Sequence, residues 1–136
     1  MLEPAQLVAG VVMVAMVAYI VTGGADFGGG VWDLFAGGPT AARQRDVIAH
    51  ALGPIWEANH VWLVLVVVLL FVCFPLAFAA IATALHVPLA LMLVGIVLRG
   101  SAFTFRTYDR DDAHSRRLWG RTFAIASVIT PVMLGV

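Results

Sequence analysis

The chain has no lysine, few charges of either sign and a single cysteine. Eight arginines balance eight acidic residues, so the formal net charge is zero and charged residues make up only 12% of the sequence. A soluble domain carries about 25% charged residues. Without a basic excess nothing favours binding to nucleic acid, and Cys73 alone excludes a disulfide within the chain.

Apolar residues are what the chain has in abundance. They make up 62% of its 136 residues, and the mean hydropathy is +0.98. A soluble domain of this length could not bury so much apolar surface. Glu3 is the only charged residue before the first apolar segment, which therefore lacks the basic start of a signal peptide. We expect this segment to be retained as a membrane span. The composition therefore predicts an all-α integral membrane protein embedded in a lipid bilayer.

The apolar segments are predicted to form one domain, residues 1–136, that is a bundle of transmembrane helices. We expect four helices, at about 6–32, 49–74, 77–104 and 118–136. The apolar stretch 61–98 would be about 57 Å long as one helix, nearly twice the roughly 30 Å thickness of a bilayer core. It must therefore reverse direction, and Phe74-Pro75 is the best turn. Pro88 is expected to kink the third helix without ending it.

Arginine placement predicts the orientation. The loops after the first and third predicted helices hold seven arginines, counting Arg121 at the edge, whereas the segments on the other side hold none. Positive residues remain on the cytoplasmic side of a membrane. We therefore expect a multi-pass membrane protein with its N-terminus outside.

The last predicted span is unusually short. The segment 122–136 would form a helix of about 22 Å, too short to cross the bilayer core. A free carboxylate at Val136 would then lie in or near hydrocarbon, which is costly. This favours a piece of a longer protein over an end that is covered by a partner.

Three charged residues, Asp26, Glu57 and Arg99, lie within the predicted membrane helices, where each is a functional hypothesis by default. Asp26 and Glu57 are expected at similar depth, with Arg99 about 7.5 Å nearer the cytoplasm. Glycines around Asp26 permit close helix contact. We therefore expect the three charges to converge in the inner third of the membrane, although a snorkelling Arg99 is an alternative.

Glu57 lies in the densest polar segment of the chain. His50, Gly53, Glu57 and His60 share one face of a helix by their spacing. A buried carboxylic acid can carry a proton, and it can equally be a structural acid that pairs with an arginine. Glu57-x-x-His60 matches half of a di-iron site, but the second half is missing, so no metal site is predicted.

Two other functions remain open at this point. His60 or His86 could ligate a haem iron, although a single membrane histidine is more often a hydrogen-bonding residue. A fragment of a membrane transporter could use the buried charges to bind a solute. A transporter is expected to place such charges at the bilayer midplane between repeats, whereas these charges lie toward one side.

Three sequence blocks resemble subunit II of the cytochrome bd-type quinol oxidases. They are Thr22-Gly-Gly-Ala-Asp26-Phe-Gly, Gly53-Pro54-Ile-Trp56-Glu57-Ala-Asn59-His60-Val-Trp62-Leu and Leu98-Arg99-Gly-Ser-Ala-Phe103. Their order and spacing are similar to the family's over essentially the whole chain. Because subunits of this family have about eight helices, the resemblance implies that the chain corresponds to the N-terminal half of one.

The resemblance implies a terminal oxidase of the respiratory chain, in the bacterial cytoplasmic (inner) membrane, that oxidises quinol and reduces dioxygen to water. Haems b and d then belong to the partner subunit I. Subunit II is its haem-free support, helps deliver protons from the cytoplasm, and has little or no activity alone. A structural quinone and a small single-helix accessory subunit are further candidates for the complex.

Residue by residue, the resemblance gives proton transfer to Glu57 and Asp26 and no catalytic or metal-binding residue to this chain. The supporting polar network consists of Arg99, His60, Asn59, Trp56 and Trp62. The chain departs from the family at three positions. Glu57 is Asp in some members, His60 is Gln in some, and Thr104 stands where some relatives have an acid.

Overall fold

The computed structural model describes residues 3–108 and 113–135. Across these residues helix is the only regular secondary structure and there is no strand, which confirms the all-α prediction. The helices are α1 (Pro4–Phe35), α2 (Ala41–Cys73), α3 (Pro75–Ala84), α4 (His86–Tyr108) and α5 (Ala113–Leu134).

Three helices in the described part of the chain are long and apolar enough to cross a membrane. They are α1, α2 and the His86–Phe105 part of α4. The apolar helix α3 and the apolar part of α5, Leu118–Leu134, are shorter. Four crossings and an external N-terminus therefore remain predictions.

The connection between α1 and α2 is shorter than the sequence suggested. The predicted loop extends to Asp46 and the predicted second helix begins at about residue 49, but α2 begins at Ala41. Ala41 to Leu52 contains no glycine or proline and is rich in good helix formers, so the helix starts before the apolar stretch does. Gly38 makes the turn with a φ of 74°, a conformation that favours glycine.

The segment predicted as one helix at 77–104 is two helices. Phe74 is non-helical, with φ −132° and ψ 58°, and Pro75 starts α3. A second break lies at Leu85, which has φ −110° and ψ 24°. Pro88 has no N–H to donate to the carbonyl of Ala84, and its ring crowds that carbonyl. The helix is therefore interrupted at Leu85, in the turn before Pro88. The prediction that Pro88 only kinks the helix is wrong.

The chain forms two compact units, each made of parts of several helices. The first unit comprises the residues up to Asp26 together with Gly53–His86. Its apolar core consists of Val12 and Ala15 on α1 and Val66 on α2, with Trp62 packed against them.

The second unit comprises Phe27–Leu52 and the chain from Val87 onward. Its apolar core consists of Leu52, Ala102 and Phe123, against which Phe103 and Trp119 pack. It also buries Arg99, Ser127 and Thr130 among other polar residues.

Many large apolar side chains are exposed in both units. Met13 is 67% exposed, Val21 69% and Leu76 88%. So much exposed apolar surface would cause a soluble protein to aggregate, but it is normal for helices that face lipid or other protein.

Candidate functional site

The polar cluster of the first unit is centred on Asp26. This residue is fully buried in α1, and Asn59 on α2 is only 1% exposed. The Nδ2 atom of Asn59 donates a hydrogen bond of 3.2 Å to Oδ2 of Asp26. The structure thus joins two of the residues that the sequence singled out, and it holds a carboxyl group inside a helix that is apolar enough to cross a membrane.

Thr22 completes this cluster and was not among the predicted site residues. It lies one helical turn before Asp26, and its hydroxyl group is 3.0 Å from Oδ1 of Asn59 and 2.8 Å from the carbonyl oxygen of Ala18. A hydroxyl hydrogen that is donated to Oδ1 fixes the amide of Asn59 so that Nδ2 faces Asp26. The i, i+4 spacing of Thr22 and Asp26 was the signal that could have identified it.

Glu57 does not belong to this cluster, which corrects the expectation of a buried acid. Its side chain is exposed, as is that of His50 on the same predicted face. Residues that are two positions apart in the sequence, such as Glu57 and Asn59, are separated by about 200° around the axis of an α-helix. Because Asn59 faces Asp26, Glu57 faces nearly the opposite way. Among the described residues, none forms a hydrogen bond or an ion pair with Glu57.

His60 and Trp56 form a second pair on α2. The Nδ1 atom of His60 is 2.9 Å from the carbonyl oxygen of Trp56, which can only accept, so Nδ1 carries the hydrogen. The two rings are 4.7 Å apart. The other ring nitrogen, Nε2, is buried and has no hydrogen-bond partner among the described residues. Trp62 is partly buried and packs against the apolar core of the unit.

Arg99 is the centre of the polar cluster of the second unit. It is only 2% exposed, so it does not snorkel to the membrane surface. Its Nε atom donates a hydrogen bond of 2.8 Å to Oγ of Ser127, and its guanidinium carbon lies 4.9 Å from the ring centres of both Phe27 and Phe123. Two aromatic faces and a hydroxyl group therefore stabilise the buried cation.

The three charged residues that were predicted to converge belong to two different units. Asp26 and Glu57 belong to the first unit and Arg99 to the second. The pairing of Arg99 with an acid of the first unit stays a prediction.

Asp33 forms a further ion pair that the sequence did not identify. Asp33 is 2% exposed, and its Oδ2 atom lies 4.0 Å from Nε of Arg45, a side chain that is 42% exposed. The Nη2 atom of Arg45 also donates a hydrogen bond of 3.0 Å to the carbonyl oxygen of Ala36. Arg45 thereby ties the start of α2 to the end of α1.

Metal ligands do not cluster in the described part of the chain. Among the residues whose side chains the structure describes, no three of His, Cys, Asp or Glu are placed to hold one ion. His86, the other histidine considered for haem, is exposed, and its Nδ1 atom is 3.0 Å from the carbonyl oxygen of Thr83.

Comparison with known proteins identifies the family. The model of the cytochrome bd terminal oxidase subunit II family matches residues 4–136. The cytochrome bd ubiquinol oxidase subunit 2 of Bacillus subtilis (strain 168) is 32% identical over 125 residues, which are 92% of this chain and 36% of that protein. The cytochrome bd-I ubiquinol oxidase subunit 2 of Escherichia coli (strain K12) is 28% identical over 123 residues, 90% of this chain and 32% of that protein.

The chain spans about a third of the length of these two relatives. No solved structure is significantly similar to it. A family match over nearly all of its residues, together with three membrane-length helices that bury polar side chains, settles the assignment. The chain belongs to the subunit II family of the cytochrome bd terminal oxidases.

Proposed function

We propose that the chain is part of the haem-free subunit II of a quinol oxidase in the bacterial cytoplasmic membrane. In this proposal it supports the haem-bearing subunit I and uses Asp26 to help deliver protons from the cytoplasm. The observation that carries the proposal is the fully buried Asp26 carboxyl, hydrogen-bonded to Asn59 within a membrane-length helix. A charge there is costly, and membrane proteins keep such groups where protons or ions move.

The chemistry of the complex requires such a group. Reduction of dioxygen to water consumes one proton for each electron, so protons must enter a site that is surrounded by hydrocarbon. A carboxyl group can gain and lose a proton there, whereas the amide of Asn59 cannot do so readily. We therefore assign proton transfer to Asp26 and positioning to Asn59 and Thr22, whose hydrogen bonds set the direction of the amide.

Glu57 stays in the proposal as a proton-transfer residue, but in different surroundings. It is 16 residues beyond the start of α2 at Ala41, or about 24 Å along the helix. An exposed carboxylate in the inner third of the membrane, the depth that we propose for Glu57, would be costly against lipid. Because Glu57 is exposed in this chain, we propose that other protein covers it, either the haem-bearing subunit or the remainder of subunit II.

Family membership favours the oxidase over a transporter, which the buried charges alone had left open. It also supports a chain that holds no haem of its own. A stoichiometric haem spectrum from the isolated subunit that is lost in His60→Ala would overturn this part of the proposal.

The proton role is tested in the assembled oxidase, reconstituted in vesicles, by quinol-dependent oxygen consumption and proton uptake. We expect Asp26→Asn to lower turnover about 100-fold, since a positioned acid contributes roughly 100- to 10,000-fold. The haem spectrum of the complex reports assembly, and Asp26→Glu should restore part of the activity. Asp46→Asn, an exposed acid on α2, is the matched control.

An assembled Asp26→Asn oxidase with normal turnover and proton uptake would refute the role of Asp26. Glu57→Gln is measured in parallel. If turnover and proton uptake are unchanged in that variant, Glu57 has no part in proton delivery.

A further inference from the structure

We propose that the groove between the end of α1 and the start of α2 binds one anionic phospholipid of the cytoplasmic leaflet. The lipid phosphate would lie beside Arg43, and an acyl chain would lie along the apolar wall. We refer to this cleft, which is lined by residues between Gly29 and Leu52, as the hairpin groove.

The hairpin groove has the size of a ligand site. Its volume is about 620 Å³, within the roughly 300–1,000 Å³ that is usual for small-molecule pockets. Every lining residue belongs to the second unit and to one helix–turn–helix segment. The groove is therefore a property of this segment.

The wall of the hairpin groove is amphipathic along its length. The polar lining residues Thr40, Arg43 and Gln44 lie together at the turn and in the first turn of α2. The rest is apolar and includes Trp32 and Phe35, which are 71% and 75% exposed. A tryptophan such as Trp32 is typical of the membrane interface, at the level of the headgroups.

The charge at the polar end selects the occupant. Arg45 is engaged with Asp33 and with a backbone carbonyl. Arg43 is exposed, and in the described part of the chain it makes no ion pair or hydrogen bond. A cation of this kind at the mouth of an apolar groove complements a molecule that joins an anion to a hydrocarbon chain.

Other occupants fit less well. A quinone has no anionic group for Arg43, and inorganic phosphate has no part that would fill the apolar wall. A zwitterionic lipid would bring its own cation close to the guanidinium. An anionic lipid such as phosphatidylglycerol satisfies both ends of the groove.

The test uses the complete oxidase complex, purified in mild detergent with added phosphatidylglycerol or phosphatidylcholine. Native mass spectrometry counts the lipids that the complex retains. In Arg43→Gln we expect binding of phosphatidylglycerol at one site to be about fivefold weaker, equal to about 1 kcal/mol for one arginine at an anionic surface. Arg121→Gln removes the same charge from an exposed position outside the groove and should leave binding unchanged.

A second variant tests the apolar wall separately. Ala51→Trp should fill the groove and displace the same lipid while the charge of the chain is kept. Unchanged retention of phosphatidylglycerol in both variants would overturn the proposal, as would equal retention of phosphatidylcholine. A benzophenone amino acid at position 35 should form an adduct with lipid. An adduct with peptide alone would show that protein covers the groove.

Discussion

Gly30→Ala is predicted to destabilise the second unit strongly, although it adds only one methyl group. Gly30 is buried, and a Cβ atom at this position would overlap the Cβ and hydroxyl group of Ser127. Ser127 is itself fully buried and accepts the hydrogen bond of 2.8 Å from Arg99. The hydroxyl group cannot move aside without releasing the guanidinium.

The size of the effect follows from three contributions. Loss of a hydrogen bond to a charged group costs about 1.5–3 kcal/mol, and overpacking costs about 1–3 kcal/mol. Replacing glycine by alanine inside a helix returns about 1 kcal/mol. We therefore expect the free energy of unfolding to fall by about 1.5–5 kcal/mol, as measured by denaturant titration of the purified subunit in mixed micelles.

Gly28→Ala is the matched control for this prediction. The same helix carries Gly28, and a Cβ atom there would meet nothing within 4 Å. Gly28→Ala should be neutral or slightly stabilising, by up to about 1 kcal/mol. The double variant Gly30→Ala with Ser127→Gly should lose less stability than the sum of the two changes, because the overlap is gone. Equal effects of Gly30→Ala and Gly28→Ala would refute the reasoning.

Three further changes test other parts of the structure. Asn59→Leu should lower the free energy of unfolding by about 2–3 kcal/mol, because it removes the hydrogen bond to buried Asp26; exposed positions on α2 should tolerate substitution within about 0.5 kcal/mol. Pro88→Ala restores a backbone donor and should join α3 to α4, seen as slower amide hydrogen exchange at residues 85–88; unchanged exchange would contradict the proline explanation. Arg45→Gln should cost about 1 kcal/mol, discounted because Arg45 is half-exposed beside Asp33; an effect below measurement error would mean that the pair is not stabilising.

Helix type and three of the six polar residues that are buried in the described part of the chain could be predicted from the sequence, because both follow from the cost of burying polar groups. Runs of apolar residues this long can satisfy their backbone only as helices. Asp26, Asn59 and Arg99 lie in or next to such runs, within the predicted membrane helices, and the structure buries all three. The buried residues Asp33, Ser127 and Thr130 were not predicted. The turn at Phe74 could also be predicted, because Pro75 restricts the backbone of the residue before it.

The helix ends and the side of α2 that packs inward could not be predicted in the same way. Hydropathy marks where the apolar region begins, and α2 starts before it, at Ala41. The spacing of Glu57 and His60 correctly places them near one face, but it does not say which face meets α1. That choice depends on Asn59, whose partner lies 33 residues earlier in the chain.

The two buried polar clusters do different work in their own units. In lipid, the hydrophobic effect does not drive helices to associate, because the lipid tails are as apolar as the helices. Close packing at small residues and hydrogen bonds between helices stabilise the association instead. The second unit follows this rule closely: Gly30 approaches Ser127, Gly95 approaches Thr130, and Arg99 bonds to Ser127 beside the first contact. Arg99 is therefore expected to act mainly in helix packing. Its loss should reduce stability before turnover, whereas Asp26→Asn should reduce turnover in a complex that still assembles.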